Sequence, residues 1–146
     1  MAELTVVEIT AEETHELRLE VLRNDTPTAI VTFAEDDLPG TFHLGVRDTD
    51  SQIVAISTWI PRALHEEPAV QLRGMATAPH VQGRGAGGML LEAGCRRAAE
   101  IAPLVWARAR DSALGFYLHH GFVVDGEGFI DAQTLKPHHL ILRRLG

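Results

Sequence analysis

Four glycines fall within six residues, at Gly83, Gly85, Gly87 and Gly88, inside the stretch HVQGRGAGGM that runs from His80 to Met89. The residues before it, Ala69 to Thr77, read as a strand, with Gly74 in its middle marking a bulge or a close approach to the backbone. Those from Gly85 to Ile101 read as a helix, with Leu90, Gly94, Ala98 and Ile101 on one face and Glu92, Arg96 and Glu100 opposite. A strand, a short glycine-rich loop and a helix start turn several backbone N–H groups outward, and the helix dipole adds positive charge there. Each glycine weakens a helix start by roughly several tenths of a kcal/mol to 1 kcal/mol, so four together point to a pyrophosphate site rather than tight packing alone.

Gly83, Gly85 and Gly88 also fit the G-x-G-x-x-G fingerprint of a dinucleotide turn. That turn follows directly on the first strand of a large parallel sheet, whereas here Ala78 to Gln82 intervene. Only about 60 residues follow, too few for the rest of that fold. The next strand ends in Arg108 and Arg110, with no acidic residue to hold a ribose; an arginine there suits an NADP variant, so length and geometry decide the matter. A P-loop is excluded because no Lys-Ser or Lys-Thr follows the glycines.

Around this unit the chain alternates strands and helices. Leu4 to Ile9 is rich in β-branched residues, Thr10 and Glu13 form a T-x-x-E capping box, and a helix is expected over Ala11 to Arg23. Phe42 to Arg47 and Gln52 to Ile60 are strands joined by the turn DTDS. Leu104 to Ala109 is a strand after Pro103, Asp111 to His120 a short helix stopped by Gly121, and Phe122 to Asp125 and His138 to Arg143 are closing strands. Asn24 to Gly40 and Gly126 to Pro137 are irregular. The order is β-α-β-β-β-α-β-α-β-β, a mixed α/β arrangement.

A chain of 146 residues suits one domain over residues 1–146. Its net charge of −7 argues against nucleic-acid binding and is compatible with small cationic substrates, although solubility explains it equally well. Cys95 is the sole cysteine, so an internal disulfide and a cysteine-based metal site are excluded. The start, MAELTVVEIT, lacks the basic and apolar regions of a signal peptide, and no stretch approaches membrane-spanning length. A cytoplasmic location without membrane partners is the expectation.

Gln82-Gly83-Arg84-Gly85-Ala86-Gly87 is similar to the Q/R-x-x-G-x-G/A signature of the GNAT superfamily of acetyl-CoA-dependent N-acetyltransferases. About 25 residues downstream, Ala113 to Phe122 resembles the family's A-x-x-F-Y-x-x-x-G-F segment. Two motifs in order are far more specific than either alone. The resemblance implies a GNAT-like, mixed, mostly antiparallel central sheet flanked by helices, with acetyl-CoA as acetyl donor. It assigns the pyrophosphate to the amides of Gln82, Gly83, Arg84, Gly85, Ala86, Gly87 and Gly88. The pantetheine arm runs along Met75, Ala76 and Thr77, and a bulge at Gly74 aims an N–H at the acetyl oxygen. Tyr117 is implied as the acid near the departing thiolate and as a cofactor contact. Two positions depart from the family: Arg110 stands where asparagine is frequent, and the bulged strand offers Gln71 and Arg73 where a glutamate base is often found.

Acetyl transfer to nitrogen requires an acceptor amine that has lost its proton, and a lysine-like amine is neutral only about once in 10³ at pH 7. His65, Glu66, Glu67 and His138 are the candidate bases. Glu66 and Glu67 also suit a solvated turn. His119 and His120 lie at a helix end where cationic side chains suit the dipole, and His138 and His139 face opposite sides of a strand, so no metal site is expected. Trp59 and Trp106 read as packing residues. The acceptor is a primary amine of a small molecule or a peptide N-terminus. A silent acyl-CoA-binding module of the same fold is the alternative, and the final strands offer a pairing edge for a homodimer.

Overall fold

The computed structural model describes residues 3–146. β1 (Thr5–Ile9), β2 (Phe42–Arg47), β3 (Ile53–Pro61) and β4 (Val70–Thr77) make an antiparallel meander in which each strand pairs with the next. β3 is buried continuously from Val54 to Ile60, the pattern of a strand covered on both faces. Helix α2 (Ala86–Ala98) then crosses over and returns the chain as β5 (Leu104–Arg110), parallel to β4.

A 3-10 turn at Asp111–Ala113 leads into α3 (Leu114–His119). The short strands β6 (Val123–Val124) and β7 (Phe129–Ile130) both pair with β8 (Pro137–Arg144), which runs antiparallel along β5. The sheet order is β1-β2-β3-β4-β5-β8-β6, mixed and mostly antiparallel, as expected. β7 has no counterpart in the sequence reading, because two residues carry no readable alternation.

Thr10 and Glu13 form their reciprocal box: the Thr10 N–H donates to Glu13 Oε1 at 2.9 Å and the Glu13 N–H to Thr10 Oγ1 at 3.2 Å. The helix that follows departs from the uniform one expected over Ala11 to Arg23. It consists of a 3-10 turn (Glu12–Thr14), α1 (His15–Leu17) and a π-helical turn (Arg18–Leu22) closed by the Arg23 N–H on the Arg18 carbonyl at 3.1 Å. The widened turn coincides with a fully buried Arg18 side chain. Its guanidinium makes paired 2.9 Å hydrogen bonds to Asp36, and donates at 2.7 Å to the Val31 carbonyl and at 2.8 Å to Thr58 Oγ1. Helical periodicity alone gives no sign of that inward pull.

α2 presents Leu90, Leu91, Gly94, Cys95 and Ala98 to the sheet. Ile101 does not share that face as expected, because the helix ends at Ala98 and leaves it exposed. Trp59 is wholly buried and stacked on Phe42, and the Trp106 indole N–H donates to the Arg62 carbonyl at 3.0 Å; both are packing residues.

Candidate active site

β4 and β5 pair only at Val70 with Val105 and at Gln71 with Trp106, and beyond those two steps they part. The cause lies in β4. The β3–β4 register shifts between Ile56 and Thr58, so that Gly74 and Met75 together oppose Ser57. Gly74 sits at φ +65°, a left-handed conformation natural to glycine. This bulge, expected from the isolated glycine, bends β4 away from β5 and opens the sheet.

The resulting cleft encloses about 1270 Å³, above the roughly 300–1,000 Å³ of a typical single-ligand pocket. Its walls are β4 from Gln71 to Thr77, the glycine loop, β5 from Ala107 to Arg110 and the α3 segment. Of the residues assigned to the cofactor by resemblance, Met75, Ala76, Thr77, Gln82, Gly83, Gly85, Ala86, Gly87, Gly88 and Tyr117 all line this one cleft. Arg84 does not; it is exposed on the outside of the loop.

The glycines divide into two kinds. Gly83 and Gly85 have φ of +84° and +83°, and a Cβ built on either would meet nothing within 4 Å. Their side-chain positions are open, leaving a backbone surface that an anion can approach. Gly87 and Gly88, which also line the cleft, have a packing role as well. A Cβ at Gly87 would lie 3.3 Å from the Phe116 ring, and one at Gly88 would lie 3.0 Å from the His120 ring. They let α2 approach α3. Gln82 Nε2 donates to the Thr77 carbonyl at 3.1 Å and ties the loop to the end of β4.

Tyr117 is buried in the cleft wall, with its ring edge-on to Phe116 and Phe122. Burial pushes its phenol well above the ordinary tyrosine value, so the hydroxyl keeps its proton throughout the neutral range. Among the described residues that hydroxyl has no hydrogen-bond partner, which leaves it available to a ligand.

The candidate bases separate in space. His138 is buried, lines the cleft and stacks on Phe129. Its Nδ1 lies 2.8 Å from the Lys136 carbonyl. A carbonyl only accepts, so Nδ1 carries a hydrogen and the neutral ring's lone pair is on Nε2. Glu67, by contrast, lies outside the cleft, closing a tight hairpin with Leu64 and paired through both oxygens with Arg144. That pairing holds its carboxyl below the usual range. His65 and Glu66 form the tip of the same hairpin at positive φ, and His65 pairs with Asp125 at 3.0 Å. Residue type brought these three forward as candidates; the hairpin carries them away.

On the other side of the cleft the structure brings in further residues, among them Arg23, Phe33, Asp131 and Thr134, which sequence reading passed over. Phe33 packs against the bulge, where a Cβ at Gly74 would lie 2.8 Å from Phe33 Cε2. The guanidiniums of Arg18 and Arg73 stack on its ring, 3.8 and 3.9 Å from the centroid. Arg23, Arg73, Arg108, Arg110, Asp131 and Thr134 line the same region. Phe33, Asp131 and Thr134 come from the two irregular segments, where spacing carries no signal.

A splayed β4–β5 pair with a bulged edge and a glycine loop leading into a helix defines an acyl-transferase type of fold. Residues 31–124 match the family model described as an acetyltransferase (GNAT) domain. The chain is 34% identical over 146 residues to an uncharacterized N-acetyltransferase, YitI, of Bacillus subtilis, covering 97% of each protein. This chain therefore belongs to the GNAT acetyltransferase family, whose members in general take acyl-CoA donors and amine acceptors. Its fold is similar to that of Escherichia coli ElaA (TM-score 0.79, 17% identity, 99% of this chain and 100% of that one). It is likewise similar to an acyl-CoA N-acyltransferase from Pseudomonas aeruginosa (TM-score 0.78, 22% identity, 98% and 99% covered). Among the described residues, no helix is long and apolar enough to cross a membrane.

Proposed function

We propose that this protein transfers the acetyl group of acetyl-CoA directly to a primary amine of a small molecule or a peptide N-terminus. The observation that carries the reading is the cradle at Gly83 and Gly85, two left-handed glycines with open Cβ positions on a loop that enters α2. That surface fits a pyrophosphate, with Arg84 outside the loop adding screened attraction. The thioester supplies an activated acyl carbon when the donor is bound. The residues of the chain do the rest.

The irregular backbone at Gly74 and Met75 offers N–H groups outside regular ladder pairing, suited to the acetyl oxygen as negative charge develops there; one such donor is typically worth about 3 kcal/mol. His138 Nε2 takes the proton of the acceptor amine. Tyr117 gives its hydrogen bond, and in the limit its proton, to the sulfur as the carbon–sulfur bond breaks and the carbon–nitrogen bond forms. Of the two residues the bulged strand offers in place of a glutamate, Arg73 is a cation and Gln71 is buried and accepts from Arg62 at 2.9 Å, so β4 supplies no base. That absence gives a catalytically silent acyl-CoA-binding module some standing as a second reading.

Release of free thiol from acetyl-CoA across a panel of amines tests the proposal: release that needs both protein and amine supports it, while binding of acetyl-CoA without release assigns the silent role. A single-domain cytoplasmic protein suits the same reading, as the lone Cys95 is buried, with its thiol pushed up to about 11 by that burial. Exposed Val123 and Val124 at the short edge strand β6 are the expected contact of a homodimer.

A further inference from the structure

The chain carries a net charge of −7, yet its cleft is cationic beside the bulge. Arg23, Arg73, Arg108 and Arg110 line it there, against one acidic lining residue, Asp131. Asp131 is itself committed: its Oδ2 accepts from the backbone N–H groups of Gln133 and Thr134 and from the Thr134 hydroxyl at 2.9–3.1 Å. Arg73 pairs with Glu35 at 2.7 Å, and Glu35 is shared with Arg62. Arg23, Arg108 and Arg110 have no carboxylate partner among the described residues. Counting both Glu35 and Asp131 still leaves positive charge in excess.

Arg23, Arg73 and Arg110 are also held in place, while Arg108 is exposed. Arg23 donates from Nε to the Ile30 carbonyl at 2.7 Å, and Arg110 donates from one terminal nitrogen to the Leu22 carbonyl. Each guanidinium has five N–H donors, so such anchoring leaves others for a ligand. Burial, then mutual repulsion among Arg110, Arg73 and Arg18, depresses Arg23, and burial likewise depresses Arg73 and Arg110. Like charges gathered out of water at a cost call for an anion between them.

The pyrophosphate does not meet that call, because the cluster lies elsewhere. Phe33 packs on Gly74, the guanidiniums of Arg73 and Arg23 lie over its ring at 3.9 and 5.9 Å, and Arg110 reaches the Leu22 carbonyl beside Arg23. Arg73 precedes the bulge and stands four strand residues before Thr77, about 13 Å at 3.3 Å per residue, with the glycine loop beyond that. Phe33, stacked with Arg73, sets the cluster against the bulge, in the part of the cleft that a donor held by the glycine loop would leave to the acceptor.

We infer that the acceptor is an anionic amine, a compound whose reacting primary amine is accompanied by a carboxylate or phosphate that Arg23, Arg73, Arg108 and Arg110 hold. This rests on the acyltransferase reading and narrows it to amino acids, peptides read by their terminal carboxylate, and phosphorylated amines, while disfavouring polyamines. Bidentate recognition by arginine gives the group a fixed direction as well as charge.

Matched pairs test it without relying on turnover. The full chain with CoA is titrated by calorimetry with N-acetylglycine and N-acetylglycinamide, with N-acetyllysine and its amide, and with O-phosphoethanolamine and ethanolamine. In parallel, thiol release from acetyl-CoA is measured with glycine, lysine, their amides, O-phosphoethanolamine, ethanolamine and spermidine. At least one anionic member is expected to bind about tenfold or more tightly than its neutral partner, the scale of one or two charge-assisted hydrogen bonds. The carboxylate and phosphate arms separate the two sources of anion. Arg23→Gln and Arg108→Gln should each reduce that preference while leaving CoA affinity within about twofold.

Equal binding within every pair, or preference for the neutral members or spermidine, overturns the inference, even if thiol release proves the enzyme active. Anion-selective binding that the two variants reduce, with no thiol release from any amine, supports the anion site and instead overturns the acetyltransferase reading. Absence of binding by every anionic member overturns the site outright.

Discussion

A Cβ built on Gly94 would lie 1.8 Å from Trp59 Cζ2: the indole of β3 rests directly on the backbone of α2. That contact seats the helix that the glycine loop enters, so a core pair sets where the loop stands. Gly94→Ala gains about 1 kcal/mol in helix propensity. It also drives a methyl group into a ring that is itself stacked on Phe42, and overpacking costs about 1–3 kcal/mol, occasionally more. We expect net destabilisation, read as a lower urea midpoint with an unchanged slope.

Gly85→Val tests the cradle. The position has φ +83° and open space around its Cβ, so the substitution strains the backbone by about 1–2 kcal/mol without a clash inside the protein. The new side chain occupies the approach to the loop amides. Acetyl-CoA affinity should fall about tenfold or more, on the order of 1.4 kcal/mol, in calorimetry on a folded variant. Gly87→Val is a different perturbation, because its side chain meets Phe116 and disturbs the contact between α2 and α3.

Tyr117→Phe separates hydroxyl from ring. The ring packs on Phe116 and Phe122 and is retained, while the hydroxyl has no protein partner among the described residues, so stability should change little. Turnover should fall by about 10²-fold, the lower part of the range for general-acid assistance, with CoA affinity nearly unchanged. Since burial raises the phenol, wild-type turnover should show no loss from Tyr117 deprotonation up to about pH 10, its ordinary value. Single-turnover rates across pH check both points.

Asp36 ties pH to stability. Burial pushes its carboxyl up, but hydrogen bonds from Arg18 and the Phe33 N–H, with the charge of Arg18, outweigh burial and hold it below its ordinary value. A depressed folded pKa stabilises fully above the unfolded value of about 3.9 and is lost as pH falls through the folded one. Wild-type stability should therefore decline below about pH 4, and Asp36→Asn should show a shallower decline. At pH 7 that variant leaves Arg18 buried without its counter-charge, a loss of about 3–5 kcal/mol measurable by urea unfolding.

Backbone requirements were readable directly from the chain. The glycines at 83 and 85, the bulge at Gly74, the Thr10–Glu13 box and the strand–loop–helix unit each follow from φ, propensity and short spacing, which depend on a few neighbouring residues. They were enough to point to the family, the sheet and the glycine-loop side of the cleft. Tertiary structure alone decided the opposite side. His138 and Glu67 are both candidate bases in sequence, but a hairpin turns Glu67 toward Arg144 while β8 runs beside β5 and puts His138 in the cleft. The π-helical turn at Arg18 answers to Asp36 and Thr58, far along the chain, and Arg23, Arg73, Arg108 and Arg110 gather from three separate segments. Such encounters depend on long-range packing and charge, which leave no period in the sequence to read.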